Sequence, residues 1–462
     1  MLKNLKQNIE NDFLIKLNKN QWRIIERLIF EIIRREKTDY SKILSSLKKE
    51  LNISKYSPQD KFSALKRKLL KYRFPLTTSQ QSIDFKTVYL NEIKQPLKDN
   101  WKIAKKFKPL TIITEEKATA SSLFKRLREK FPDCENKIVA HYRDYLKDSC
   151  FTFSQIKKPL IFITNEPADF IKPCPCTKHH LGCGYWIFNL GFGCPFDCSY
   201  CFLQQYTNFF GVILPANIDS FLDQFSKFII KFKKPIRIGT GEFSDSLALD
   251  DLTEYSKKII PYFQKKNVLF ELKTKSTNIN NILSIPPGKN IIISWSLNPS
   301  KIIEYQEFGA TSLVERLNAA KKVQDVGYKL AFHFDPIIHL ANWEKLYTEV
   351  IDYLYSQLQA PFAWISLGTL RSNRKLKTIV ELRFPESNIF YGELLLGKDK
   401  KLRYPEFIRS KIYNTIIKRI KLYDKNTPIY LCMESEQLWK SVAGLVPYND
   451  IENSLINFNF KN

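Results

Sequence analysis

Apolar positions recur at helical spacing through most of the first hundred residues. Gln21–Arg35 sets Trp22, Ile25, Leu28, Ile29 and Ile32 on one face at i, i+3, i+4 spacing. Tyr40–Leu51 and Pro58–Tyr72 repeat the pattern. Ser57-Pro58-Gln59-Asp60 predicts a helix start, with Pro early and an acid in the first turn. Pro96–Lys108 then reads as a linker. Beyond it the apolar runs shorten: Leu110–Thr114 and Pro159–Thr164 predict strands around a Lys- and Arg-rich helix at Thr119–Phe131, ended by Pro132. This is a small α/β unit.

From residue 184 the two periods alternate. Predicted strands are Tyr185–Asn189, Ile236–Gly239, Val268–Lys273, Ile291–Ser296, Leu330–Phe334 and Ala363–Leu367, with helices near Asp219–Lys233, Leu252–Lys266, Thr311–Asp325 and Asn342–Leu358. Alternation implies parallel strands joined by right-handed crossovers. Six of them predict a partial (β/α)6 barrel, whose chemistry belongs at the C-terminal strand ends. The expected architecture is α/β: a basic helical extension at 1–95, a small α/β subdomain at 107–180, the partial barrel at 181–380 and a C-terminal extension at 381–462.

Composition narrows the setting. A chain of 462 residues allows two to four domains. No apolar run reaches the length of a membrane span, and Met1-Leu2-Lys3-Asn4-Leu5-Lys6 lacks the apolar segment of a secretory signal. The cysteines cluster and do not pair evenly, so a reducing, cytoplasmic setting is expected. The net charge is +26; residues 1–150 carry 34 Lys and Arg against 18 Asp and Glu, and the remainder 39 against 29. An excess of this size favours a polyanionic partner, nucleic acid first. The run Lys66-Arg67-Lys68…Lys71…Arg73 fits a phosphate backbone and a merely solvated face equally well.

The candidate chemistry lies just past the first barrel strand. Gly193-Cys194-Pro195-Phe196-Asp197-Cys198-Ser199-Tyr200-Cys201-Phe202-Leu203-Gln204 places three thiols at spacing C-x3-C-x2-C. On a loop, three thiolates at that spacing can converge on one [4Fe–4S] cluster and leave one of its four irons open to a ligand. Zinc is the competing metal, although an isolated group of three lacks the second paired knuckle. Just upstream, Cys174, Cys176 and Cys183 gather with His179 and His180, a set of soft ligands compatible with a second metal site or with packing near the first.

These residues and several later blocks resemble the radical S-adenosylmethionine (SAM) superfamily, and within it the spore photoproduct lyase family. The blocks are Cys194–Gln204, Arg237–Asp245, Glu271–Ser276, Ser294–Pro299, His333–Pro336, Glu393–Asp399 and Tyr430–Ser435; they span about residues 107 to 440 and leave the first hundred uncovered. The resemblance implies that Cys194, Cys198 and Cys201 ligate the cluster and that SAM chelates its open iron. One electron, from a donor such as flavodoxin or ferredoxin, then cleaves SAM to a 5′-deoxyadenosyl radical that takes a hydrogen atom from the substrate. In the lyase that substrate is a methylene-bridged thymine dimer in DNA.

The resemblance further places Tyr200 near adenine, Gly239, Thr240, Gly241 and Glu242 at the SAM ammonium, Lys275 at its carboxylate, Ser296 at its ribose and Ser244 as a further SAM contact. Two positions depart from the family pattern. Glu242 stands where lyases carry a hydrogen-returning cysteine, and Phe202 stands where they carry a tyrosine. Two competing readings follow: a radical SAM enzyme acting on another substrate, such as an RNA base or a peptide, and a non-catalytic iron–sulfur protein that binds nucleic acid.

Overall fold

The computed structural model describes residues 4–96, 107–148, 159–165, 170–177, 180–206 and 211–461. Most of the expected linker, together with His179, lies outside them. The chain divides into two compact units, one of residues 1–97 with 371–408, the other of 98–370 with 409–462.

The first unit is built on amphipathic helices Leu5–Asp12, Lys19–Glu36, Tyr40–Glu50 and Lys61–Arg73. Asn18 and Gln21 form a reciprocal capping box at the start of the second, which satisfies two backbone donors that a helix start leaves open. Their apolar faces close over Leu5, Ile9, Ile25, Leu28, Ile29, Leu47, Leu65 and Leu69, all fully buried. The expected helix start at Pro58 is displaced. The Ser57 hydroxyl donates to Asp60 at 2.5 Å, closing a turn, and the helix begins at Lys61.

Residues 371–408, which the sequence reading divides between barrel and C-terminal extension, belong to this first unit. They contribute helix Arg374–Arg383 and a three-stranded antiparallel sheet of Arg371–Ser372, Leu402–Arg403 and Leu395–Leu396. One buried carboxylate ties them to the N-terminal helices. Glu31 accepts from Arg27 at 2.9 Å, from Arg73 at 2.7 Å and from the Lys377 ammonium. Arg27 also pairs with Glu381, and Glu393 accepts from the backbone of Leu76 and Thr77 at 2.9 and 2.6 Å. The basic run of the last long N-terminal helix is thus largely engaged within the unit. Arg73 is buried on Glu31, Lys68 pairs with Glu50, and Lys66 sits 3.3 Å above the Phe85 ring. Arg67 and Lys71 remain exposed.

The second unit holds two sheets. The smaller is fully parallel, in the order Glu135–Val139, Thr111–Glu115, Leu160–Thr164, Gly211–Pro215. Its last strand comes from beyond the cysteine triad. The larger sheet carries seven parallel strands: β1 (Tyr185–Phe188), β2 (Ile236–Thr240), β3 (Val268–Thr274), β4 (Ile291–Ser296), β5 (Lys329–Ile337), β6 (Trp364–Thr369) and β7 (Ile429–Leu431). Ile171–Pro173 adds an antiparallel edge beside β1.

This is the expected partial barrel, with one further parallel strand. At three residues, β7 is too short for its alternation to be read. β2, β4 and β6 are buried along their whole length, as helices covering a curled parallel sheet require. The expected helix Leu252–Lys266 is broken into Asp250–Thr253 and Tyr255–Gln264, with Glu254 left-handed between them. The buried Asp250 carboxylate takes the backbone N–H of Ser256 at 2.9 Å and so starts the second piece. Among the described residues no helix is long and apolar enough to cross a membrane.

Replacing Glu31 by Gln removes the anion that three buried cations share. Stability of the first unit should fall by about 3–5 kcal/mol, the usual penalty for stranding buried charge. Urea unfolding of the full chain checks this, and an unchanged first transition would contradict it.

Candidate active site

The triad loop is shaped by close backbone contacts. Gly193 has φ +91°, and a Cβ there would lie 2.2 Å from the Gly211 carbonyl oxygen, so only glycine fits. Its N–H donates to the Phe243 carbonyl at 2.9 Å, which joins the loop after β1 to the loop after β2. Asp197–Cys198 pairs antiparallel with Glu307–Phe308, and Ser199 donates to the Gln306 backbone at 2.8 Å. The Gln204 amide donates to the carbonyls of Cys198 and Ser199, each at 2.9 Å.

Behind the loop lies a dry polar knot. Glu307 is 2 % exposed and accepts from the Tyr200 hydroxyl, from Asn298 at 2.9 Å and from Arg316 at 2.5 Å. Arg316 also holds the Ser296 and Thr311 carbonyls at 2.8 and 3.0 Å. Burial alone would raise the Glu307 carboxyl; Arg316 and Lys275 outweigh it and hold the group down at about 2. Glu307, Asn298 and Arg316 were not among the expected site residues. Their only sequence signal is the Asn298-Pro299 block, because the partners lie about a hundred positions from Tyr200.

Several expected residues meet here. Cys198 is buried, Cys194 and Cys201 are half-buried, and none is in a disulfide. Desolvation raises all three thiols, and the Lys275 ammonium opposes it at Cys198 and Cys201. Lys275 stands 5.7 Å above the Tyr200 ring. Among the described residues no three His, Cys, Asp or Glu side chains gather as a single metal ion requires, neither the triad nor Cys174, Cys176 and Cys183. The triad suits a cluster, where each thiolate meets its own iron at a separate corner.

Glu242 pairs with Lys273 at 3.3 Å. Gly241, at φ +96°, packs where a Cβ would fall 2.8 Å from the Lys273 carbonyl. Gly239 leaves room for the Tyr185 hydroxyl, which a Cβ would meet at 2.2 Å. Thr240 is buried and bonds Ser246 at 2.6 Å, so its hydroxyl faces the loop fold. Ser244 lines a narrow cavity with Gly191, Gly193 and Asp245, while Ser296 is buried at the end of β4.

Asp245 is the organiser that residue-by-residue reading passed over. One oxygen takes the Leu247 and Ala248 N–H groups and the Thr274 hydroxyl; the other takes the Lys275 N–H at 2.7 Å. Phe202 packs on Phe243 and Tyr206. Deeper in the barrel His333 bonds Glu271 at 2.6 Å, and Arg237 lies 4.3 Å above Trp364.

The family model described as spore photoproduct lyase matches residues 182–418. This chain belongs to the spore photoproduct lyase family. It is therefore a radical SAM enzyme of the lyase class, which removes the non-catalytic reading. Similar curated proteins are the spore photoproduct lyases of Clostridium acetobutylicum, 26 % identical over 58 % of this chain and 82 % of that one, and of a Geobacillus species, 29 % identical over 44 % and 62 %. Solved structures of the same fold include a spore photoproduct lyase variant with bound AdoMet and dinucleoside spore photoproduct (TM-score 0.62, 22 % identity) and the enzyme complexed with the dinucleoside spore photoproduct (TM-score 0.61, 21 % identity). Each covers 70 % of this chain and 99 % of its own length.

The Glu271 carboxyl is held at about 2: burial pushes it up, and His333 and Lys273 outweigh burial. A depressed carboxyl stabilises the fold above its ordinary value near 4.5 and loses that stability as pH falls toward 2. Over that window the wild type should lose about 3 kcal/mol more than Glu271→Gln. Thermal melts across the acid range check it, and parallel slopes would contradict it.

Proposed function

We propose that this chain cleaves SAM reductively at a [4Fe–4S] cluster and uses the resulting radical on a nucleic-acid base, in DNA repair of the spore photoproduct kind. The observation that carries the reading is convergence. Three thiols, the Lys275 ammonium and the Glu242–Lys273 pair, on separate loops of the sheet, stand together at the C-terminal mouth of the barrel.

In this reading Cys194, Cys198 and Cys201 hold the cluster, and Lys275 offers its charge to the SAM carboxylate. Glu242 and the Gly239–Gly241 backbone face the ammonium, with Ser244, Ser296 and the Tyr200 ring as further contacts. The cofactor pair supplies a carbon radical able to take a hydrogen atom from an unactivated position. The protein's share is placement. Asp245 fixes the Lys275 backbone, and Glu307 fixes Tyr200 between two cluster ligands. A low-potential donor such as flavodoxin or ferredoxin supplies the electron, in a reducing, cytoplasmic compartment.

A second reading, a radical SAM enzyme on an RNA base or a peptide, is favoured by Phe202 and Glu242. Phe202 packs edge-on against Tyr206 and Phe243 with no hydroxyl to offer, and Glu242 is already paired with Lys273. Conversion of dinucleoside spore photoproduct to thymine separates the two readings.

After anaerobic rebuilding with iron, sulfide, SAM and dithionite, the wild type should release 5′-deoxyadenosine even without substrate. Cys201→Ala should drop that release about 100-fold or more. Lys275→Ala should keep the cluster but weaken SAM binding about 10–100-fold, one lost charged hydrogen bond, read by SAM titration of the reduced cluster's EPR signal. Absent deoxyadenosine from the wild type would sink the proposal.

Duplex DNA should bind with a log–log salt slope of about −0.9 for each phosphate neutralised. Weak binding with a flat slope would argue for the second reading.

A further inference from the structure

Lys273 stands at the barrel mouth with no task of its own in the proposed chemistry. Every residue of β3 is buried except this one, whose side chain is 24 % exposed. Strand residues two apart share a face, so Lys273 lies on the face of Glu271. Glu271 reaches past β4 to bond His333 of β5 at 2.6 Å. A bond that spans an intervening strand closes on the concave side of a curled sheet. Lys273 therefore points into the barrel, one step nearer the mouth than Glu271.

Its position is fixed on every side. The Lys273 N–H donates to the Ser246 hydroxyl at 3.0 Å, and its carbonyl accepts the Ser246 N–H at 3.1 Å. Gly241 packs so closely that an added Cβ would fall 3.1 Å from the Lys273 Cβ. The ammonium is aimed by Glu242, whose Oε2 lies 3.3 Å from Nζ. Burial lowers the Lys273 pKa, but Glu242 and then Glu271 outweigh burial and raise it, so the group stays a cation.

An ammonium has three N–H donors and no acceptor. Among the described residues Glu242 takes one of them, at 3.3 Å, and the others are left for a ligand that offers an acceptor. Glu242 already meets the charge and repels a second anion, so a neutral carbonyl oxygen suits this cation better than a phosphate. The SAM carboxylate has Lys275, two residues on and 5.7 Å above the Tyr200 ring. The remaining ligand at this mouth is the substrate. In thymine the O4 carbonyl and the C5 methyl lie side by side on one edge of the base. A bridge built from that methyl puts O4 next to the reacting carbons. We propose that Lys273 is a substrate-binding, specificity-determining residue that donates to the O4 carbonyl oxygen of a thymine-type base; this rests on the function proposed above. Glu242 holds it through Oε2 and keeps its other oxygen for the SAM ammonium, so one carboxylate links the two ligands. The pair selects keto over amino bases, because an amino group at that carbon sets donor against donor.

The test uses the full chain with its cluster rebuilt and SAM bound, without reductant, so that nothing turns over. Isothermal titration compares dinucleoside spore photoproduct, made without a linking phosphate, with an analogue that carries amino groups in place of O4 on both bases. The wild type should bind the photoproduct at least about 10-fold more tightly than the analogue. Lys273→Met should bind the photoproduct about 10–100-fold more weakly, the loss of one charged hydrogen bond, and should lose the preference. Should Lys273→Met fail to fold, Lys273→Gln, whose amide both donates and accepts, should lose the preference in its place. Equal wild-type affinities for the two ligands, or a preference that survives in the variant, overturns this proposal alone. A linking phosphate that tightens binding to the wild type but not to Lys273→Met, with no keto preference, assigns Lys273 to phosphate and overturns the carbonyl contact. A wild type that releases deoxyadenosine yet binds neither ligand overturns the proposed substrate, and this proposal with it.

Discussion

Glu307 carries a full negative charge in a place that water does not reach, and the triad loop is fastened to it. A buried carboxylate is tolerated only when its lone pairs are all engaged. Here Tyr200, Asn298 and Arg316 engage them, and each comes from a different element. Tyr200 lies between two of the three cysteines. The direction in which Cys198 and Cys201 leave the loop is therefore set by a carboxylate more than a hundred residues downstream. Arg316 extends the same constraint to β4 through the Ser296 carbonyl. The thiols proposed to hold the cluster would gain from this kind of support, because orientation fixed before binding need not be imposed during it.

Asp245 does for the end of β3 what Glu307 does for the triad loop. Its four hydrogen bonds close its own loop and seize the end of β3. Ser246 adds two more bonds, one in each direction, to Lys273. Lys273 on β3 and Lys275 just past its end are thus held beside Glu242 and the triad loop by anchored backbone. A single strand end serves both halves of the site.

Much of this was legible in the sequence. Alternating periods reveal six of the seven parallel strands, and the cysteine spacing locates the centre, because both are local patterns. What stayed hidden is long-range. β7 has too few residues to show a period. The strand Gly211–Pro215 joins the small sheet despite following the triad. The basic helix at 61–73 reads equally as a phosphate-binding or a solvated face, and nothing local shows that Glu31 takes Arg73 and Glu50 takes Lys68. Glu307 and Asp245 look like ordinary surface acids, since nothing nearby in the chain announces their partners. That Gly239 must lack a side chain to make room for Tyr185 is likewise invisible in the sequence.

The Glu31 cluster also bears on how the protein is made. Arg27, Glu31 and Arg73 leave the ribosome early, yet Lys377, Glu381 and Glu393 follow some three hundred residues later. At synthesis rates of about 5–20 residues per second, the N-terminal helices wait roughly 15–60 s for the segment that completes their unit. Six of the seven barrel strands emerge in that interval, so the N-terminal helices stay without their buried partners while most of the other unit is being made.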